Sequence, residues 1–318
     1  MEYNILLVDL SYILSRNIYS ISNWKKAGEY TERDVAKSVF QTLSKLFKDY
    51  KISASKIIFL SDSWSKEYSG YYRTFLIKDL IEYKGDRKLS QEEESISYMN
   101  EIKMKSKEFI INNFGKFGIP TIKQEGWEAD DLAWLSTNLL YDITPGKNLL
   151  ITKDSDWKYL LSPRMDYFVF PKSASEVPGI ITYEEMYNSI PLEIRGKGIS
   201  LYDYSSYLNS LGVSHNNMKV TKKPRVNVTK TIIKILNNDF TNVSDPEGFK
   251  IQYNSFDLTK FPGYQELKER IQNSILKIGH LGTSEEFVEF CDNNGIYGLT
   301  ESYYLNFIEN LNTDYYCE

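Results

Sequence analysis

Three short apolar runs in this 318-residue chain each end in aspartate. "YNILLVDLS" runs to Asp9, "KIIFLSDS" to Asp62, and "KNLLITKDSDW" to Asp154 and Asp156. Each run is too short for a helix and reads as a buried strand. Helical patterns separate them. Residues 31–50 repeat Val35, Val39, Leu43, Leu46 and Phe47 at helical spacing, with Thr31 placed to cap. "EADDLAWLSTNLLYD" does the same with Leu132, Leu135 and Leu139. "MDYFVFP" reads as a further strand, and "EFIINNFGKFGIPTIKQEG" as a helix end, a Gly-Ile-Pro break and a short strand. Strands alternating with helices imply an α/β layer fold with a mostly parallel sheet. Ligands of such sheets bind beyond the carboxyl ends of the strands, where all four aspartates fall.

The stretch "GWEADDLAWL" adds Glu128, Asp130 and Asp131 at a helix start. Bare carboxylates repel one another, and burying them costs more still. A cation among them resolves both costs. On this reading seven carboxylates from four segments converge at one sheet edge. Hard cations such as Mg²⁺ and Mn²⁺ take oxygen ligands, and carboxylate-held pairs of ions catalyse phosphodiester hydrolysis.

Composition narrows the classes. The net charge is −5 and the sequence pI about 5.4, which argues against a uniformly basic surface but allows an acidic metal site beside a separate basic groove. Cys291 and Cys317 fit no ligand spacing, so neither a disulfide framework nor a zinc site is expected. The start "MEYNILLVDL" lacks a basic leader and reads as a first strand. No apolar run approaches a membrane span, and a monomer in a reducing cytoplasm is expected. After about residue 195 strand signals fade and polar helices dominate. The two glycines of "EIRGKGIS" mark a boundary, dividing 1–195 from 196–318.

Four motifs in order resemble the flap endonuclease/5′→3′ exonuclease family, especially phage-type 5′-nucleases and phage RNase H. They are "VDLS", "LSDSWSKEYSGYYRTFLIKDLIEYKGDR", "GWEADD" and "ITKDSDWKYLL". The resemblance covers roughly residues 4–165. It implies a PIN-like, Rossmann-like sheet flanked by helices, with a smaller C-terminal helical domain. It implies that Asp9, Asp62, Glu128 and Asp130 hold a first Mg²⁺ or Mn²⁺ ion. Asp131, Asp154 and Asp156 would border it or serve a second. Lys84, Arg87 and Arg73 would contact the scissile phosphate, and Tyr83 would stack on a terminal base. A helical arch over about 84–107 would admit a 5′ single strand, with Lys103, Lys105 and Lys107 along its backbone. The implied partners are branched or 5′-ended DNA, RNA–DNA hybrids and replication proteins.

The resemblance breaks at the family's Gly-Asp-x-x-Asp-Asn motif. Aligning Gly212 places Val213 and Asn216 at the two aspartates and Asn217 at the asparagine, so one well-held ion is expected and the second is left open. Neither His215 nor Asp203 is an evident substitute. The family's helix-hairpin-helix is degenerate as well. "KVTKKPRVNVTKTIIKIL" nevertheless carries Lys219, Lys222, Lys223, Arg225, Lys230 and Lys234 without an acidic residue between them, a basic patch suited to duplex phosphates. Three readings stay open: a metal-dependent 5′-nuclease, a weak or inactive binder of branched DNA, and a PIN-like ribonuclease.

Overall fold

A computed structural model describes residues 1–77, 94–171, 179–211, 228–276 and 281–311. Within them the strands are β1 (Glu2–Asp9), β2 (Ser53–Leu60), β3 (Thr121–Ile122), β4 (Asn148–Ile151), β5 (Met165–Val169) and β6 (Gly179–Ile181). The helices are α1 (Leu10–Ser22), α2 (Glu32–Lys48), α3 (Tyr72–Ile77), α4 (Glu94–Asn113), α5 (Ala129–Ile143), α6 (Tyr183–Asn188), α7 (Leu192–Arg195), α8 (Leu201–Ser210), α9 (Val228–Leu236), α10 (Pro246–Asn254), α11 (Tyr264–Leu276), α12 (Ser284–Asn293) and α13 (Glu301–Glu309). The sheet order is β3-β2-β1-β4-β5-β6, parallel throughout except for β6, which runs antiparallel beside β5. Strand β6 has only three residues, too few for a period-2 pattern to show in the sequence.

Strand β1 is central, and its register sets the working edge. Asp9 pairs with Leu60, and Val8 pairs with Ile151. The carboxyl ends of β1, β2 and β4 are therefore nearly level, which brings Asp9, Asp62 and Asp154 to one rim.

Alternation along the strands builds two apolar layers. Leu6, Val8, Ile57, Phe59, Leu149, Ile151 and Phe168 face one cluster, shared with α1, α2, α4, α12 and α13. Ile5, Leu7, Ile58, Leu60, Leu150 and Tyr167 face the other, shared with α5, α8, α9 and α11. Burial on both faces explains why the strands read as continuous apolar runs. Helix α2 starts at its expected cap, with Asp34 accepting from the Thr31 backbone N–H at 2.9 Å. Helix α4 is anchored as well: Ile102 and Ile110 are buried, and Tyr98 meets Tyr30 edge-on at 5.3 Å.

The chain beyond residue 196 contributes to both layers. The Phe40 and Phe307 rings lie 4.5 Å apart, and Phe287 stacks on Tyr304 at 4.3 Å. On the other face, the buried Lys56 ammonium donates to the carbonyls of Ser274 and Ile275 at 2.8 and 2.9 Å. Both carbonyls belong to the last turn of α11, where a cation is favoured. Burial pushes the Lys56 ammonium down to about 8.

Candidate metal centre

The segment after β2 and the entry to α5 are tied together main chain to main chain. Ser63 N donates to Trp127 O at 3.0 Å, Gly126 N to Ser63 O at 2.8 Å, and Tyr72 N to Gly126 O at 2.8 Å. Gly126 makes the turn at φ +78°, and a Cβ there would sit 3.0 Å from the Tyr68 ring. Glycine alone meets both conditions. The result is that Glu128, the N-cap of α5, lies beside Asp62. Ala129 N donates to Asp62 Oδ1 at 2.8 Å, so Asp62 satisfies one of the open amides at the helix start.

The other carboxylates join through side chains. Asp9 caps α1, accepting from Tyr12 N at 3.0 Å and, on its other oxygen, from the Thr152 hydroxyl at 2.8 Å. Thr152 in turn accepts from Asp154 N at 3.1 Å, linking the ends of β1 and β4. Burial pushes Asp9 up to about 6. Its two hydrogen bonds oppose the rise, and the charges of Asp62 and Asp154 add to it. The Ser11 hydroxyl donates to Asp62 Oδ2 at 3.0 Å. The Trp157 indole N–H donates to Asp130 Oδ1 at 2.6 Å. Burial first, and then the charges of Asp154 and Glu128, raise Asp130 well above the usual carboxylate range.

Asp131 has a different role. It is fully buried, forms an ion pair with the Arg73 guanidinium, and accepts from Glu128 N at 3.2 Å. Arg73, itself buried, stacks 4.8 Å over the Phe256 ring. Burial still pushes Asp131 up, against the pull of Arg73. Asp156 is half-buried, and its backbone N–H donates to Asp154 Oδ1 at 3.0 Å in the turn Ser155–Leu160.

Asp9, Asp62, Asp130 and Asp154 thus gather at the rim with Glu128 beneath, while Asp131 is turned toward Arg73. Among the described residues no three His, Cys, Asp or Glu side chains stand close enough together to hold an ion as they are. Hydrogen bonds from Tyr12, Thr152, Ser11, Ala129 and Trp157 occupy the carboxylate oxygens. The donor set is all hard oxygen, partly buried and mutually repelling, and this chemistry fits Mg²⁺ or Mn²⁺.

A basic flank adjoins the acidic rim. Lys107 of α4 donates to the Asp62 carbonyl at 2.6 Å. Lys103 lies one turn earlier on the same helix and is half-buried. Lys123 follows β3 and sits beside the Asp62 segment, because Ser61 N donates to Ile122 O at 3.1 Å. Burial pushes Lys107 down. The nearby Lys103 and Lys123 charges add to this, while Asp62 and Asp9 oppose it. Lys105 is exposed and pairs with Glu101 at 2.6 Å. Lys230, exposed, lies in the first turn of α9. Asp203 is occupied as a cap partner, accepting from the Ser200 hydroxyl at 2.6 Å. Tyr83, Lys84, Arg87, Lys219, Lys222, Lys223 and Arg225 lie outside the described residues, as do Gly212, Val213, His215, Asn216 and Asn217. Sequence reasoning missed Thr152, Trp157 and Lys123. The first two were visible only as neighbours of the Asp-x-Asp motif.

The mostly parallel sheet with helices on both faces is a PIN-like fold. Solved structures of 5′-nucleases share this fold. The bacteriophage T5 D15 protein co-crystallised with metal ions aligns over 87% of this chain and 99% of its own, with 19% identity and a TM-score of 0.60. The T5 5′-exonuclease with bound zinc aligns over the same shares at 20% identity and 0.60. Human GEN1 in complex with Holliday junction DNA aligns over 97% of this chain and 71% of its own, at 14% identity and 0.50. No protein-family model and no curated protein sequence matches the chain.

Proposed function

We propose that this chain is a divalent-metal-dependent 5′-nuclease that hydrolyses phosphodiester bonds in branched or 5′-ended DNA. The observation that carries this reading is the placement of Asp9, Asp62, Asp130 and Asp154, from four segments, along one carboxyl edge of the sheet, where burial and neighbouring carboxylates raise Asp9 and Asp130 at a cost that a dication would remove. The fold shared with a flap endonuclease described in complex with DNA and metal ions supports it.

In this reading Asp9, Asp62, Glu128 and Asp130 hold Mg²⁺. When bound, the ion activates water and offsets charge at the phosphate. Thr152, Ser11 and Trp157 orient the carboxylates. Lys103 and Lys107 set positive charge beside them, with Lys84 and Arg87 at the scissile phosphate and Tyr83 on a terminal base. Arg73 acts by neutralising Asp131. The segment 196–318, through Lys219, Lys222, Lys223, Arg225 and Lys230, meets the duplex. Primer removal during replication, including RNA–DNA hybrids, is the setting this chemistry suits. Asp130→Asn should abolish Mg²⁺-dependent cleavage of a labelled 5′-flap while binding stays measurable. Cleavage that survives the change would show that the assigned site is wrong.

A weakly catalytic or inactive binder of branched DNA is the second reading. Asp131, a residue that would border a second ion, is committed to Arg73, and the sequence offers Val213 and Asn216 where two more carboxylates would stand. Sustained turnover in Mg²⁺ or Mn²⁺, absent in the Asp130→Asn control, would eliminate it.

A further inference from the structure

We infer that Trp64 is a stacking platform for an unpaired nucleobase next to the scissile phosphate. The inference rests on the nuclease reading above and adds to it the kind of nucleotide the site accepts. Trp64 lies two residues beyond Asp62 and is 57% exposed. Two residues span at most about 7 Å, so the Trp64 backbone lies within that reach of Asp62.

A single exposed aromatic is ordinary on a protein surface. Trp64 differs in how it is held. Ser63, before it, exchanges main-chain hydrogen bonds with Gly126 and Trp127 at 2.8 and 3.0 Å. Ser65, after it, exchanges a reciprocal pair with Gly70 at 2.9 and 3.0 Å. The backbone on both sides is thus fixed before any ligand arrives, which lowers the ordering cost of binding. Among the described residues the indole makes no ring contact with another aromatic, whereas the following Tyr68, Tyr72 and Phe75 pack on one another.

The local charge points the same way. Lys66 is followed by Glu67, and Glu125 lies close enough to accept from the Ser65 hydroxyl at 3.0 Å. This is a poor surface for tracking phosphates by charge alone. A base offers a π-face whatever its sequence, and stacking on an aromatic needs no net positive charge. The phosphate side falls to Lys107, which holds the carbonyl of Asp62. Lys107 of α4 thus meets the main chain at Asp62, two residues before the indole.

The test measures affinity in the Asp130→Asn background. The probe is a fluorescent 5′-flap DNA carrying either an ordinary or an abasic nucleotide beside the junction. With Trp64 in place, the abasic substrate should bind about 5- to 100-fold more weakly than the ordinary one. Trp64→Ala should weaken binding of the ordinary substrate by a similar factor and erase the difference between the two, and Trp64→Phe should restore most of it. Equal affinity of the two substrates with Trp64 in place would overturn the inference without any substitution. A Trp64→Ala loss that is the same on both substrates would also overturn it, in favour of a purely structural role or of a protein-facing indole. Failure of the protein to bind any branched DNA would remove the nuclease reading and this inference together. Cleavage by the Asp130→Asn protein would count against the reading alone.

Discussion

Replacing Asp9 by Asn separates a metal ligand from a helix cap. Both descriptions fit Asp9, since it caps α1 and also lies on the acidic rim. Burial raises its carboxyl from 3.8 to about 6 in the folded chain. The fold therefore binds this proton more tightly than the unfolded chain does. The stability so gained is fully present below pH 3.8 and is lost as pH rises through about 6. At 1.36 kcal/mol per unit, the ionised group costs the metal-free fold up to about 3 kcal/mol at pH 7. Asn copies the uncharged form. Its oxygen can keep the cap bond from Tyr12 N, but its amide cannot accept from Thr152 as the carboxylate does, a loss of about 1 kcal/mol. Asp9→Asn should thus stabilise the metal-free protein by about 1–2 kcal/mol at pH 7, and should destabilise it by about 1 kcal/mol near pH 3.5, where both forms are neutral. Urea unfolding in EDTA at the two pH values reads this directly. Added Mg²⁺ should raise the wild-type midpoint and leave that of Asp9→Asn nearly unchanged, because a ligand stabilises only the state that binds it. Destabilisation at pH 7 in EDTA by more than about 1 kcal/mol would refute the reasoning and leave Asp9 as a cap.

Two further substitutions probe the frame around the site. Arg73→Met should cost roughly 3 kcal/mol in urea unfolding, because it strands the fully buried Asp131 without its guanidinium; a loss under 1 kcal/mol would mean that Asp131 is already neutral. Gly118→Ala should cost about 2 kcal/mol and lower the thermal midpoint, since Gly118 has φ +78° and a Cβ there would collide with the Leu281 side chain; an unchanged midpoint would mean that the bridge between Phe117 and Leu281 is not held in the folded protein.

The parts of the fold that were legible in the sequence are those where one residue type answers to one physical demand. Leu6 to Val8, Ile57 to Leu60 and Leu149 to Ile151 are apolar on both faces because helices cover both faces, so their runs stand out from the chain. An aspartate at the end of each run then had only the sheet edge to occupy. The roles of the carboxylates were less legible, because a sequence gives charge and order but no direction. Asp130 and Asp131 are adjacent and chemically identical. A helix turns 100° between neighbours, and this alone sends Asp130 toward Trp157 and Asp131 toward Arg73. The partner that decides each case is remote in the chain: Arg73 comes 58 residues before Asp131, and Trp157 27 residues after Asp130. The same holds for Lys103, Lys105 and Lys107, three similar residues on one helix. Two of them flank the acidic rim, and the third is paired with Glu101 on the opposite side. Composition can announce that a chain carries a costly cluster of charge. Which partner each one meets is settled by the tertiary fold, so Asp131 belongs with Arg73 in the frame of the site, and Asp130 with Trp157 at its rim.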